Sequence, residues 1–114
     1  MGISANNTHL VAIAPTTAIA TSEPFDLRAS GSMQNPINYS VISSPLGAAE
    51  EVAVEVWNEA DQAFQSLNKD GAPLKLTQDN DWLTFDSVSL RVRFVKTASA
   101  LPVGVALVQP RAVI

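Results

Sequence analysis

His9 is the only histidine in this 114-residue chain, which makes it the first residue to consider for catalytic chemistry. A histidine serves as a general base when a nucleophile and an orienting carboxylate lie beside it. No motif around His9 supplies these partners, and the chain has no Gly-x-Ser-x-Gly elbow, no phosphate-binding loop and no cysteine. The sequence therefore predicts no catalytic residue, and an enzyme built around His9 ranks last among the function classes.

Three aspartates, Asp79, Asp81 and Asp86, lie close together and carry the oxygen ligands that a hard cation such as calcium requires. The calcium-loop motif, with its fixed glycine and its terminal glutamate, is absent from this segment. Polar residues between Leu76 and Trp82 are typical of a solvated turn. We therefore expect neither a metal ion nor any other cofactor.

A run of five acidic residues precedes this segment. We interpret the run as a solvated strand edge that discourages sheet-to-sheet aggregation. Two alternatives are a docking surface for a basic partner and a match to Arg91 and Arg93 on an adjacent strand. The run consists of Glu50, Glu51, Glu55, Glu59 and Asp61.

The aromatic residues suggest an alternative function, which is glycan binding. Tyr39, Trp57 and Trp82 have the flat apolar faces on which a sugar ring stacks, and a glycan-binding β-sandwich module would use them. In a small β-domain, however, a tryptophan more often packs in the core. The glycan reading therefore ranks second.

Composition excludes several partners. The net charge of −4 and the isoelectric point near 4.7 argue against neutralising the phosphates of a nucleic acid. The apolar stretch 10–15 is too short to span a membrane, so we expect no membrane partner. With 46% hydrophobic and 16% charged residues, the chain is globular, and its stability must come from packing.

The sequence pattern predicts an all-β fold. Segments 82–85, 88–95 and 103–109 read as a β-meander, and 8–14 and 37–42 are further strands. Residues of 88–95 alternate between apolar and polar, whereas 103–108 is apolar on both faces and should be covered on both. The predicted core consists of Val54, Val56, Leu76, Phe85, Val88, Leu90, Val92, Phe94, Val105 and Leu107.

Segment 45–67 allows two interpretations. Its apolar residues follow helical spacing, which would give an α+β fold with a helix over 45–67. Val52, Val54 and Val56 also alternate as a strand does, and a turn-forming run follows them at 58–61. We favour two strands here. Further along, Asp70-Gly71 predicts a tight turn between strands at 64–67 and 74–76.

Charged residues are distributed unevenly along the chain, since the only ones in segment 1–49 are Glu23, Asp26 and Arg28. We predict an extended N-terminal arm over 1–22 and one antiparallel β-sandwich or jelly-roll-like domain over 23–114. Deleting the arm should leave a folded domain that no longer assembles. The residues expected to contact other subunits are Leu10, Val11, Ile13, Ile19 and Val108.

Four segments, VAVEVWN (52–58), KDGAPLKL (69–76), LTFDSV (83–88) and LRVRFV (90–95), together resemble the small β-sandwich structural proteins of tailed-phage virions. These proteins serve as capsid decoration proteins, tail components or fibre-associated domains. The resemblance implies a non-enzymatic role in the virion, where the chain would pack into or cement a symmetric assembly. Its implied partners are further copies of itself and other virion proteins.

Overall fold

The computed structural model describes residues 7–26, 37–87 and 91–110, with side chains described for 10–25, 39–85 and 91–108. Every regular element in these ranges is a β-strand. The strands are β1 (Asn7–Thr16), β2 (Ala20–Thr21), β3 (Phe25–Asp26), β4 (Ile37–Ser43), β5 (Val52–Asn58), β6 (Ala63–Ser66), β7 (Asn68–Lys69), β8 (Ala72–Pro73), β9 (Lys75–Leu76), β10 (Trp82–Ser87), β11 (Arg91–Lys96) and β12 (Val103–Pro110).

Two antiparallel sheets share one hydrophobic core. Sheet A has the strand order β1-β12-β4-β10, and sheet B has the order β2-β11-β5-β6, with β3 also pairing with β11 and β9 with β5. Strands β7 and β8 form a separate hairpin. The predicted all-β antiparallel sandwich is confirmed.

Segment 45–67 contains two strands, β5 and β6, as the strand interpretation predicted. In β5, Val52, Val54 and Val56 are buried and the residues between them are partly exposed. The Asn58 side chain then accepts hydrogen bonds from the backbone N–H groups of Ala60 at 2.9 Å and Asp61 at 3.3 Å. This local bonding holds the turn that leads into β6, so a helix over 45–67 cannot continue through it.

The core contains residues from both sheets. Eight of the ten predicted core residues are buried, and the other two, Val88 and Leu90, lie outside the described residues. Tyr39, Val41 and Leu46 are also buried but were not predicted. Their strand and loop contain no long apolar run, so no hydrophobic pattern marks these three residues as core residues.

The tight turn predicted at Asp70-Gly71 is confirmed, but it does not join strands at 64–67 and 74–76, since β6 and β9 there each pair with β5. It joins β7 to β8, and both residues have positive φ, 55° for Asp70 and 84° for Gly71. Two consecutive left-handed residues are the signature of the turn that matches the twist of a two-residue hairpin. Asp and Gly tolerate this conformation better than other residues do.

The loops at one end of the sandwich are tied together by two charged side chains. Lys96 is only 1% exposed, and its Nζ donates to the carbonyls of Ala18 and Thr97, both at 2.8 Å. The Glu50 carboxylate accepts from the backbone N–H groups of Gly47 at 2.8 Å and Ala100 at 2.9 Å. These two bonds hold the pKa of Glu50 below its ordinary value of 4.5.

Residues 7–22 are built into the sandwich. Strand β1 pairs along its length with β12, and β2 pairs with β11. Ile13 lies in the core, and buried Ser22 exchanges hydrogen bonds with the backbone of Phe94 at 2.8 and 2.9 Å. The described part of the predicted arm therefore belongs to the domain, because its backbone pairs with both sheets and the Ile13 side chain packs in the shared core.

Candidate interaction surface

The outer face of sheet A carries an apolar row that crosses all four strands. Alternate residues of β12 point into the core, which turns Ala106 outward. In the strand register, Ala106 lies opposite Val11 of β1 on one side and opposite Ile42 of β4 on the other. Trp82 of β10 lies opposite Ile42. We call these four residues the apolar row.

Both ends of the apolar row are open to solvent. Val11 is 72% exposed and Trp82 is 59% exposed, whereas Ile42 and Ala106 between them are partly buried. A shallow depression of about 380 Å³ adjoins the row, and Pro15 belongs to its lining. The row therefore has a concave centre with a large side chain at each end, a shape that suits insertion of apolar side chains from another protein.

Glycine shapes the depression at Gly104. A Cβ atom at this position would lie 3.1 Å from Cγ of Pro15 and 3.3 Å from the carbonyl oxygen of Ile13. The absence of a side chain therefore allows the end of β1 to lie close against β12.

Charge is missing from the described strand side chains on this face. In the next row, Ser40 and Thr84 bond to each other through their hydroxyl groups at 3.2 Å. On the other side of the apolar row, the Ser44 hydroxyl accepts from the backbone N–H of Gly104 at 3.0 Å. These hydroxyl groups already have partners within the chain, so covering this face leaves none of them without a hydrogen bond.

The outer face of sheet B differs because it carries charged side chains, several of which are joined by ion pairs within the chain. Arg93 Nε donates to Glu55 at 2.8 Å, and its guanidinium lies 4.1 Å from the ring centre of Phe64. Arg91 lies 5.8 Å from the ring centre of Trp57. The alternative that matched the acidic run to these arginines is confirmed for Glu55. Sheet B thus has an outer face suited to water.

The three aromatic residues of the glycan reading do not come together. Tyr39 is 1% exposed and packs on Phe85 in the core, with ring centres 6.1 Å apart, so it is unavailable to a ligand. Trp57 lies on the outer face of sheet B, packed on Phe64 at 5.3 Å. Trp82 lies on the outer face of sheet A. These positions form no common stacking platform.

The predicted interface residues divide into two groups. Leu10, Val11 and Ile19 are exposed, as an interface requires, whereas Ile13 and Val108 are each 6% exposed. Ile13 is a correction, because it fills the core of its own sandwich. The reason is a register shift between Val11 and Ile13, a β-bulge that turns these two residues to opposite faces. Simple alternation would place both on one face.

Ile42 and Ala106 were not singled out in the sequence as surface residues. For Ala106 a signal existed, since 103–108 is apolar on both faces. For Ile42 the signal lay in the pairing of β4 between β12 and β10, which is non-local. The row is therefore a product of strand register.

The remaining candidates stay apart. His9 lies in β1 opposite Val108, and its side chain is outside the described ones, as is that of Asp86. Asp79 and Asp81 are exposed at the turn before β10. Among the described side chains, those of 10–25, 39–85 and 91–108, no three His, Cys, Asp or Glu residues are grouped as a metal site would need. Over residues 7–26, 37–87 and 91–110, no helix is long and apolar enough to cross a membrane.

Comparison with known proteins gives a structural relationship. No family model matches the sequence, and no curated protein matches it. The crystal structure of the SPBc2 prophage-derived protein YomS is similar, with a TM-score of 0.65 and 18% sequence identity. The similarity covers 90% of this chain and 91% of the YomS chain. Over almost its whole length, the chain therefore has the fold of YomS.

Proposed function

We propose that this chain is a non-enzymatic structural protein of a phage virion, where it packs into or cements a symmetric assembly such as a capsid or a tail. The observation that carries the proposal is the outer face of sheet A, where the described strand side chains are uncharged and include the apolar row. A fold shared with a prophage-derived protein supports the phage setting.

The apolar row fits a protein partner better than a small ligand. Its depression is shallow and open, and it lacks the converging polar groups that orient a small molecule in a pocket. Tryptophan is enriched among the residues that dominate the binding energy of protein interfaces, and Trp82 stands exposed at one end. At the other end, full burial of an aliphatic side chain such as that of Val11 contributes about 1.5–3 kcal/mol.

The partner's chemistry follows from this face. An uncharged, apolar surface gains most from an equally apolar surface, because any charge placed against it would lose its water without gaining a partner. We therefore expect an apolar sheet face or loop of another virion subunit. The charged outer face of sheet B would remain toward solvent, since it carries two ion pairs and an arginine that suit contact with water.

The test is incorporation into particles. Particles are purified on a density gradient from cells in which the phage genome carrying this gene is induced, and their proteins are identified by mass spectrometry. The chain should sediment with the capsid and tail proteins in fixed proportion to them. A chain that stays at the top of the gradient, apart from the particles, overturns the proposal.

A charge substitution locates the attachment surface. Trp82→Glu should lower incorporation at least about tenfold, because it places a carboxylate in the apolar row. Leu101→Glu is the matched control, since Leu101 is 72% exposed and lies in the loop before β12, away from the row. Equal incorporation of the two variants would mean that another surface attaches the protein.

A further inference from the structure

Strand β1 has an open edge. It is ten residues long, pairs with β12 on one side, and lies at the end of the strand order in sheet A. Among the described strands, none pairs with its other side. An edge strand presents a row of unpaired N–H and C=O groups, which can accept another strand.

The other edges of the two sheets have features that discourage such pairing. At the edges of sheet B, β6 has four residues, and β2, β3 and β9 have two each. At the far edge of sheet A, β10 contains the acidic residue Asp86. Short length, charge, proline and bulges are the usual protections of an edge strand. Strand β1, with the sequence NTHLVAIAPT, is neither short nor acidic or basic, and its bulges and its proline lie after Val11.

The first half of β1 is the part suited to pairing. From Asn7 to Val11 its register with β12 advances without a shift, whereas a bulge follows Val11 and Pro15 lies near the end. Leu10 lies opposite Leu107, on the inner face, yet is 38% exposed. Val11 is 72% exposed on the outer face. A strand placed alongside would cover apolar side chains on both faces.

We propose that two copies of this chain pair antiparallel along the first half of β1, centred near Leu10, and join their four-stranded sheets into one eight-stranded sheet. A two-fold axis perpendicular to the sheet brings the same edge of each copy together, which is the self-complementary geometry of most homodimers. Strand β1 contains no Asp, Glu, Lys or Arg, so the two copies meet without repulsion between such side chains.

The apolar row favours a second copy as the partner, because the row ends at the β1 edge and would continue into the same row of that copy. An axis perpendicular to the sheet keeps both outer faces on one side, so the two apolar rows meet at their Val11 ends. The dimer then presents one apolar row of about twice the length. This inference rests on the proposed function and gives it a building unit, since a wider face suits attachment to a larger assembly.

The oligomeric state of the purified full chain tests the inference. Sedimentation at concentrations up to about 100 μM should give twice the monomer mass of 12.1 kDa. Val11→Lys should weaken the dimer at least about tenfold, because lysine on an edge strand blocks pairing. Leu101→Lys changes an equally exposed residue and should leave the dimer intact. A monomeric wild-type chain, or equal dimerisation of the two variants, overturns the inference.

Cross-linking tests the geometry without a charge, and it decides the matter should Val11→Lys fail to fold. The chain has no cysteine, so Leu10→Cys introduces a sole thiol. Pairing centred within one residue of position 10 places the two thiol-bearing residues within about 8 Å, which a short bis-maleimide spans. Cross-linked dimer should form with Leu10→Cys and at least about fivefold less with Leu101→Cys. Equal yields overturn the inference.

The two proposals fail separately. A chain that dimerises through β1 but is absent from particles keeps this inference and overturns the proposed function. A chain that enters particles but is monomeric in solution and gives no Leu10→Cys cross-link keeps the proposed function and overturns this inference.

Discussion

Lys96 shows how a charged residue can occupy a core position. Alternation along β11 places it on the same face as Val92 and Phe94, yet its charge predicts exposure. The structure buries it because its ammonium group reaches two loop carbonyls and the Ser99 hydroxyl at the end of the sandwich. The sequence contains the alternation but not the loop conformations that supply the three acceptors, so this position could not be predicted.

Glu50 makes stability depend on pH. Because hydrogen bonds from Gly47 and Ala100 lower its pKa in the folded chain, its contribution is fully present above pH 4.5 and is lost as the pH falls through the lowered value. Glu50→Gln should therefore reduce the drop in melting temperature between pH 6 and pH 3. Glu23→Gln, at an exposed position, is the control. If Glu50→Gln kept the full wild-type drop, the carboxylate would have no such role.

At the scale of strands, the local alternation of apolar and polar residues was sufficient to identify core residues where one face of the sheet is buried. Alternation in β5 and β11 identified Val54, Val56, Val92 and Phe94 as core residues, and the structure agrees. The pairing of β12 between β1 and β4 was beyond this reasoning, because it joins strands about 60 to 100 residues apart. The bulge in β1 was equally hidden, and it decided which face Ile13 occupies.

Gly104 gives a prediction for the contact between β1 and β12. Replacement by valine would place a branched side chain against Pro15, where even a Cβ atom would lie 3.1 Å from Cγ. We expect Gly104→Val to cost about 1–3 kcal/mol of unfolding free energy in urea and to speed amide exchange in β1. Ala106→Val, on the same face of β12, borders the open depression and should cost less. Equal costs would mean that Pro15 moves aside freely.

The whole molecule presents two unlike faces. Sheet B displays ion pairs and arginine-aromatic contacts that are satisfied within the chain, whereas the described side chains on the outer face of sheet A form an apolar row. This asymmetry is the physical basis of the proposed role, since it gives a small protein one face for water and one for a partner. It also means that surface charge substitutions should have different effects on the two sheets.

The last prediction concerns whether the N-terminal segment belongs to the domain. Deleting residues 1–16 removes β1, exposes one edge of β12 and takes Ile13 out of the core, so the unfolding free energy in urea should fall by at least about 2–5 kcal/mol. Ile13→Ala should reproduce a loss of this size, whereas Ile19→Ala should stay within about 0.5 kcal/mol because Ile19 is 72% exposed. A truncated chain as stable as the full one would restore the arm interpretation, because an arm contributes to assembly and not to the fold of its own domain.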